Sequence, residues 1–280
     1  CNRRRDTPFA IDSSMRSSGK SKVCDVVSII AAGRSAPRSS YPTEEIELEK
    51  TLCSIALAGQ RLVLLDNVTS KLGGGPLDKV LTADDRVQFR VLGESRMEEP
   101  QWRTVLMTTG NNTSFHADTK SRTLICRIEP GVERPEERTG FRYPDLLAHV
   151  RSVRPTLIHA ALTILRAFVV AGRPPVPAMR GVGGRFPSWA SIVPAAILYA
   201  GGENVLLASA TEKNAPDAEE ETLRVVLGSL GSLVGEEGKT AGDIVAELWP
   251  PLPPGERHGQ RPEDGRGLLR EAINLMAGNR

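Results

Sequence analysis

Three short apolar runs that end in polar residues constrain this chain more than any other feature. Arg61-Leu62-Val63-Leu64-Leu65 closes on Asp66, Thr104-Val105-Leu106-Met107 closes on Thr108-Thr109, and Leu124-Ile125-Cys126-Arg127-Ile128 forms the third. Continuous runs of this kind, without strict alternation, belong to strands buried on both faces, and such strands occur in parallel sheets covered by helices. Phe9-Ala10-Ile11 is a briefer strand candidate. Between the strands lie helical patterns. Lys22–Ala32 carries Val23, Val26, Val27 and Ile30 at helical spacing, and Glu44–Leu57 carries Ile46, Leu48, Leu52, Ile55 and Ala56. The alternation predicts a three-layer α/β domain with a mainly parallel sheet.

From about Tyr143 the strand pattern gives way to helices. Asp145–Ala171 reads as helical with an interruption at Pro155, and Trp189–Ala200 as helical with a kink or boundary at Pro194. Glu203–Glu220 reads as a polar linker. Glu221–Val234, Thr240–Trp249 and Leu268–Met276 read as helices, the last after a Pro-rich connection at Pro250–Pro262. The expected divisions are a core over 1–142, a helical region over 143–202 and a small helical unit over 221–280.

Ser14-Met15-Arg16-Ser17-Ser18-Gly19-Lys20-Ser21 matches G-x-x-x-x-G-K-[ST] except at its first position. It follows a strand candidate and opens a helix, the context the motif needs. Backbone N–H groups of such a loop cradle phosphates, so Ser14, Ser18, Gly19, Lys20 and Ser21 are the expected nucleotide-binding residues. Lys20 supplies a charge to the phosphates and the Ser21 hydroxyl a ligand to Mg²⁺. Ser14 stands where glycine normally permits an unusual backbone conformation, which predicts local strain or a reshaped loop. Asp66, at the end of an apolar strand, is the expected partner of Mg²⁺. Asn111, after the next strand, can orient an attacking water, although Gly110-Asn111-Asn112 is equally good turn chemistry. Arg122 is a candidate for neutralising charge in the transition state at a neighbouring subunit's ATP; the plain alternative is a solvated loop charge.

Taken as a series, several segments resemble primase-associated helicase ATPases of prophages and integrative elements. They are Leu64-Leu65-Asp66-Asn67, Arg90-Val91-Leu92-Gly93-Glu94-Ser95, Thr108-Thr109-Gly110-Asn111-Asn112, Asp118-Thr119-Lys120-Ser121-Arg122, Glu133–Phe141 and Pro144-Asp145-Leu146. The likeness spans roughly Ser14 to Ala200. It implies an AAA+-like, superfamily 3 type ATPase that acts on DNA as a homo-oligomeric ring, a hexamer being one ring size open to it, using ATP and Mg²⁺ and normally following a primase–polymerase domain. In that resemblance Lys20, Asp66, Asn111 and Arg122 are catalytic, Asn112 is an understudy to Asn111, and residues 143–202 form a lid. A hairpin between the strands of Asp66 and Asn111 would line the channel, making Lys71, Lys79, Arg86, Arg90 and Arg96 candidates for DNA contact. Acidic residues intervene there, so a scattered charged surface is the competing reading. Many AAA+ enzymes carry Glu after the strand-end Asp; here Asn67 stands instead. An amide cannot accept a proton, so Glu44, Glu45 or Glu47 would have to act as base. A non-catalytic DNA-binding or assembly module with a decayed site is the alternative function, and a P-loop kinase a weaker third. Residues 221–280 could form a winged-helix-like DNA-binding unit.

Composition narrows the remainder. Lys plus Arg (36) nearly cancels Asp plus Glu (34), so any basic surface must be local. Aromatics make up 4% of 280 residues, which leaves the core to aliphatic side chains. Cys1, Cys24, Cys53 and Cys126 lack metal-ligand spacing and read as buried small apolar residues of a reducing, cytoplasmic protein. The four His show no zinc spacing. No run approaches the ~18 consecutive apolar residues of a membrane span, so no membrane is expected. The chain starts Cys1-Asn2-Arg3-Arg4-Arg5 without Met, which reads as a fragment.

Overall fold

The computed structural model describes residues 7–91, 96–132, 134–176, 187–214, 218–235 and 238–249, with Leu269 and Ile273. The chain divides into two units, 1–215 and 216–280.

The first unit is built on a five-stranded sheet. Its strands are β1 (Phe9–Asp12), β2 (Arg38–Ser40), β3 (Leu62–Val68), β6 (Val105–Gly110) and β7 (Leu124–Arg127), in the order β2-β3-β6-β1-β7. All four neighbour pairings are parallel. Side chains alternate between two apolar layers. Val63 and Leu65 join Leu106 on one face, and Leu64 joins Met107 on the other. Helices α2 (Glu45–Leu57) and α3 (Gly75–Thr82) cover the first face through Leu48, Leu52, Leu77 and Val80. Helix α1 (Lys20–Ala32) covers the second through Cys24. This is the expected three-layer α/β core with a parallel sheet and a helical C-terminal region.

Two departures from the sequence pattern affect α1 and β2. The stripe of α1 that is buried is Cys24, Asp25, Ser28 and Ile29, while Val23 and Val27 are exposed. The apolar spacing therefore misplaces the sheet-facing side, because two polar residues are buried there. Strand β2 has the sequence Arg-Ser-Ser and no apolar signal, as befits an edge strand.

Between β3 and β6 lie α3 and an antiparallel hairpin of β4 (Phe89–Val91) and β5 (Arg96–Glu98), the latter pairing Phe89 with Glu98 and Arg90 with Met97. Residues 92–95 of the Arg90–Ser95 segment fall outside the described residues. After β6, α4 (Ala117–Arg122) packs beside α3.

Helix α5 (Leu146–Val170) runs unbroken through Pro155. Proline removes the hydrogen bond to the carbonyl of Arg151, but Arg151 and Pro155 are both exposed, so water can serve that carbonyl. Among the described residues α5 is the one helix long and apolar enough, by length and composition, to cross a membrane. It nevertheless docks on α1. Arg154 Nε donates to the carbonyls of Ile29 and Ile30, at 2.8 and 3.1 Å. Both carbonyls belong to the last turn of α1, where helical partners run out; Ile29 still accepts the N–H of Gly33 (2.8 Å), which ends the helix in the left-handed conformation (φ 77°). Helices α6 (Pro187–Ala190) and α7 (Val193–Tyr199) follow, with the boundary falling next to Pro194 as expected.

The expected linker 203–220 instead contains α8 (Val205–Asn214). Its Ser209 is buried and its Oγ accepts the Ile125 N–H at 3.0 Å. Strand β7 is an edge strand, and α8 satisfies a donor that would otherwise be left open. Sequence polarity hid this helix because its role is to cap an edge rather than fill a core.

The second unit contains α9 (Ala218–Val234) and α10 (Ala241–Leu248). Val226, Leu248 and Leu269 form its small core. Thr240 and Asp243 form a capping box at the start of α10. Most of 250–280, including the expected Pro-rich connection and nearly all of the expected last helix, lies outside the described residues. Of the described cysteines, Cys24 is buried, Cys53 half-buried and Cys126 exposed, so burial does not hold for all of them; Cys1 lies outside the described residues. Burial pushes the Cys24 thiol up to about 12.

Removing the α1–α5 tie should be measurable. Arg154→Ala should lower unfolding free energy by about 1–2 kcal/mol, the value of a charged donor lost from the last turn of α1. Chemical denaturation checks this, and an unchanged midpoint would mean solvent serves those carbonyls equally well.

Candidate functional site

The chain leaves β1 and β6 on opposite sides of the sheet. After β1 it enters α1 on one face, and after β6 it reaches α4, which packs beside α3 on the other. Neighbouring strands that part in this way open a crevice at their C-terminal ends, where open α/β sheets bind ligands. The loop 13–19 sits at the end of β1, and Asn111 follows the end of β6.

Lys20 lies at the centre of this crevice. Its Nζ donates to the Met15 carbonyl (2.9 Å), Ser18 Oγ (3.0 Å) and Asn111 Oδ1 (2.8 Å). Burial lowers its pKa, while Asp12 and Asp66 pull it back up. Next along α1, Ser21 Oγ donates to Asp66 Oδ1 at 3.1 Å. Lys20, Ser21, Asp66, Asn111 and the loop residues Ser18 and Gly19 therefore converge, as sequence order suggests.

The loop's backbone differs from expectation. Left-handed conformations fall at Ser17 (φ 57°) and Gly19 (φ 94°), not at Ser14. Ser14 carries none of the backbone strain expected of it. Its Oγ donates to Glu129 Oε2 at 2.8 Å.

Asp66 is held by residues that sequence reading did not single out. Thr109 Oγ1 donates to Asp66 Oδ1 and accepts the Asn67 N–H (3.0 Å). Arg38 Nη1 approaches Asp66 Oδ2 at 3.4 Å, and Arg38 Nη2 pairs with the buried Asp25. A polar strand such as Arg38-Ser39-Ser40 gives no hint of a site. Asp12, at the end of β1, is also buried and accepts from the Thr113 N–H (3.1 Å) and Thr113 Oγ1 (2.8 Å). An acid directly before a phosphate-type loop is the one sequence signal that could have flagged it.

Asn67 explains why no glutamate follows Asp66. It adopts a left-handed backbone (φ 56°) where the pairing of β3 with β6 shifts register between Leu65 and Val68. Asn tolerates this conformation far better than Glu. Two of the three suggested replacement bases, Glu45 and Glu47, are engaged elsewhere, and Glu44 is exposed at the start of α2. Glu45 Oε1 accepts from the Gly75 N–H at 3.3 Å, and Glu47 pairs with Lys50.

Asn112 does not duplicate Asn111. Its Oδ1 accepts from Arg127 Nη2 at 3.0 Å. Arg122 lies apart from the cluster, 13% exposed, with its Nη1 on Asp78 (3.2 Å) and Asp118 (3.7 Å). The basic candidates near the hairpin are partly absorbed by local structure. Lys79 pairs with Glu49 (2.7 Å) and sits over the Phe89 ring, Arg86 donates to the Glu99 carbonyl (2.7 Å), and Arg96 pairs with Glu98. Arg90 and Lys71 are exposed.

Among the described residues no three His, Cys, Asp or Glu side chains gather into a metal cage. The hydroxyl of Ser21 beside the carboxylate of Asp66 is a hard oxygen pair. It fits an ion such as Mg²⁺, which keeps waters and takes its other ligands from phosphates.

No family model and no curated protein matches the chain. Among solved structures it is similar to the A-form apo NrS-1 C-terminal region, at 17% identity and TM-score 0.37, over 55% of this chain and 36% of that one. It is also similar to a ligand-bound JCV helicase, at 13% identity and TM-score 0.31, over 74% and 55%. The chain thus spans about a third of the NrS-1 region. Likenesses of this size carry no weight for function, which rests on the geometry above. Fold and site together define an α/β core of P-loop-like type.

If the crevice takes a Mg²⁺–nucleotide, Thr109→Val should weaken that binding roughly three- to tenfold, about 0.7–1.4 kcal/mol, the range of one ordinary hydrogen bond. Titration calorimetry at several Mg²⁺ concentrations checks this; an unchanged affinity would show that Asp66 is positioned without Thr109.

Proposed function

We propose that this chain is an ATP-dependent DNA helicase or translocase module of a phage- or plasmid-type replication protein. The observation that carries the nucleotide part is the meeting of Lys20 with Asn111 at 2.8 Å beside Ser21 with Asp66 at 3.1 Å. A cation, a hydroxyl, a carboxylate and an amide at the tips of three adjacent strands are the groups that phosphoryl transfer needs. Lys20 would bind the phosphates. Ser21, with Asp66 behind it, would hold Mg²⁺, which supplies charge neutralisation on the transferred phosphoryl group. Asn111 can hold a water through its amide, and Lys20 fixes that amide's orientation.

The DNA and ring parts rest on the sequence resemblance. The β4–β5 hairpin stands in the chain where that resemblance puts a channel-lining element, with exposed Arg90 and Arg96 on it and Lys71, Lys79 and Arg86 in the sequence leading into it. Arg122 would act on a neighbouring subunit's ATP, and to do so it must exchange Asp78 for that ligand. Residues 143–202 would serve as the lid, residues 221–280 as a DNA-binding unit, and a primase–polymerase domain would precede the chain in a longer protein.

A second reading, a non-catalytic DNA-binding or assembly module, is favoured by one observation. Asn67, exposed and left-handed, offers no base beside Asp66.

ATP hydrolysis with and without single-stranded DNA separates the two. The motor predicts turnover that DNA stimulates and that Lys20→Ala lowers roughly 10²- to 10³-fold, as for loss of one preorganised charge-stabilising group. Nucleotide binding without turnover, in a folded chain that still binds DNA, would favour the assembly module.

A further inference from the structure

The loop that carries the site has little burial to hold it. Ser14, Arg16 and Ser17 are exposed, and none of the loop's apolar atoms joins either core layer. Its shape must therefore come from specific bonds. Two are local, Met15 N–H to Ser13 Oγ and Lys20 to the Met15 carbonyl, and a third, Asn112 N–H to the Ser13 carbonyl, anchors the start of the loop to the turn after β6. The Ser14–Glu129 bond is different, because it ties the outer limb of the loop to a residue 115 positions away.

Glu129 is itself held. Its Oε1 accepts Arg127 Nε at 2.7 Å while its Oε2 accepts Ser14 Oγ at 2.8 Å, so both carboxylate oxygens are used. Arg127 spends its other two nitrogens on the site. Nη1 reaches Asp12 Oδ2 at 3.2 Å, and Nη2 reaches Asn112 Oδ1 at 3.0 Å. One planar guanidinium thus joins the tip of β1, the turn after β6 and, through Glu129, the phosphate loop. A lysine ammonium has no such fork. An isolated exposed ion pair contributes little. This one differs because Asp12 is buried and because all three guanidinium nitrogens are committed.

We propose that Ser14, Glu129 and Arg127 form a latch that fixes the phosphate loop to β7 and to the Asn111–Asn112 turn, with Glu129 and Arg127 as positioning residues for nucleotide binding. The proposal rests on the nucleotide-site reading above. It gives the departure at Ser14 a positive role. A serine stands at the motif's first glycine position because its backbone needs no left-handed freedom and its hydroxyl closes the latch. The hydrogen bonds from Ser14 and Arg127 also hold the Glu129 carboxyl below its usual range, which keeps it the ionised acceptor the latch requires.

The test uses the full chain and two readouts. The first is hydrogen–deuterium exchange of residues 13–19 without nucleotide, in wild type, Ser14→Ala, Glu129→Ala and the double variant. Each single variant should speed loop exchange several-fold, and the double should add nothing, since either change opens the same bond. Glu129→Gln, which keeps an acceptor for Ser14, should recover part of the protection. Arg127→Lys should not recover what Arg127→Ala loses. The second readout is affinity for a non-hydrolysable ATP analogue with Mg²⁺, expected to fall about three- to tenfold in Ser14→Ala and in Ser14→Gly. Unchanged loop exchange in the single variants, or additive effects in the double, would overturn the latch. So would tighter analogue binding in Ser14→Gly, which restores the motif's glycine. If wild type binds no analogue, the nucleotide reading falls, and loop exchange alone then decides the latch.

Discussion

The site depends on β1 lying between β6 and β7 in parallel register. Ile11 opposes Thr109 on one side, and Asp12 opposes Arg127 on the other. This pairing brings three strand tips level at one edge of the sheet. The loop after β1 then meets the turn after β6 without any further device, and the last residues of β7 stand beside both. The tips are packed closely enough to restrict side chains. A Cβ on Gly110 would come within 2.0 Å of Thr113 Oγ1, so the turn that presents Asn111 needs glycine there. Slipping β1 by one residue would turn Asp12 and Ile11 to the wrong faces, and the crevice would lose both its acid and its apolar floor.

Electrostatics follows from that geometry. Each cation around the crevice faces acceptors: Lys20 the Asn111 amide oxygen, Arg38 the carboxylates of Asp25 and Asp66, Arg127 those of Asp12 and Glu129. Few charges there stand alone, which is what burial at a strand edge demands. Asp66 faces several donors at once, from Ser21, Thr109 and Arg38. A carboxylate held on three sides keeps its orientation whatever approaches, and orientation is what a metal-supporting acid requires.

Much of this was legible in the sequence, and the failures have physical causes. The buried strands announced themselves because residues such as Val63, Leu64 and Leu65 face apolar layers on both sides. Lys20, Ser21, Asp66 and Asn111 were found because each sits at a strand tip or helix start, a place that hydrophobic patterning marks. Strand β2 and helix α8 were missed because each works at an edge of the sheet through polar groups, Arg38 in one and Ser209 in the other. Patterning cannot see an element that contributes polar contacts in place of an apolar face. Pro155 misled for a related reason, since its penalty depends on exposure rather than on sequence. Arg127 was passed over as part of a strand. Its importance lies in three partners, at Asp12, Asn112 and Glu129, of which only Glu129 is near it in sequence.

The departures from the phosphate-loop pattern have one lesson in common. Ser14 and Asn67 each replace a residue that the pattern expects, and each looks like decay when letters are compared. In the fold each has a local reason. Ser14 makes a bond that glycine could not, and Asn67 occupies a left-handed position at a register shift where glutamate would be strained. A motif is a summary of geometry, and the same geometry can be reached by different residues when the surrounding backbone moves its unusual conformations elsewhere. Here they have moved to Ser17 and Gly19 within the loop and to Asn67 beside the acid. The departure at Ser14 therefore cannot be counted as evidence against a working site. The departure at Asn67 bears on one step alone, because an amide in that place would leave the proposed phosphate binding and metal support untouched and would remove only a proton acceptor.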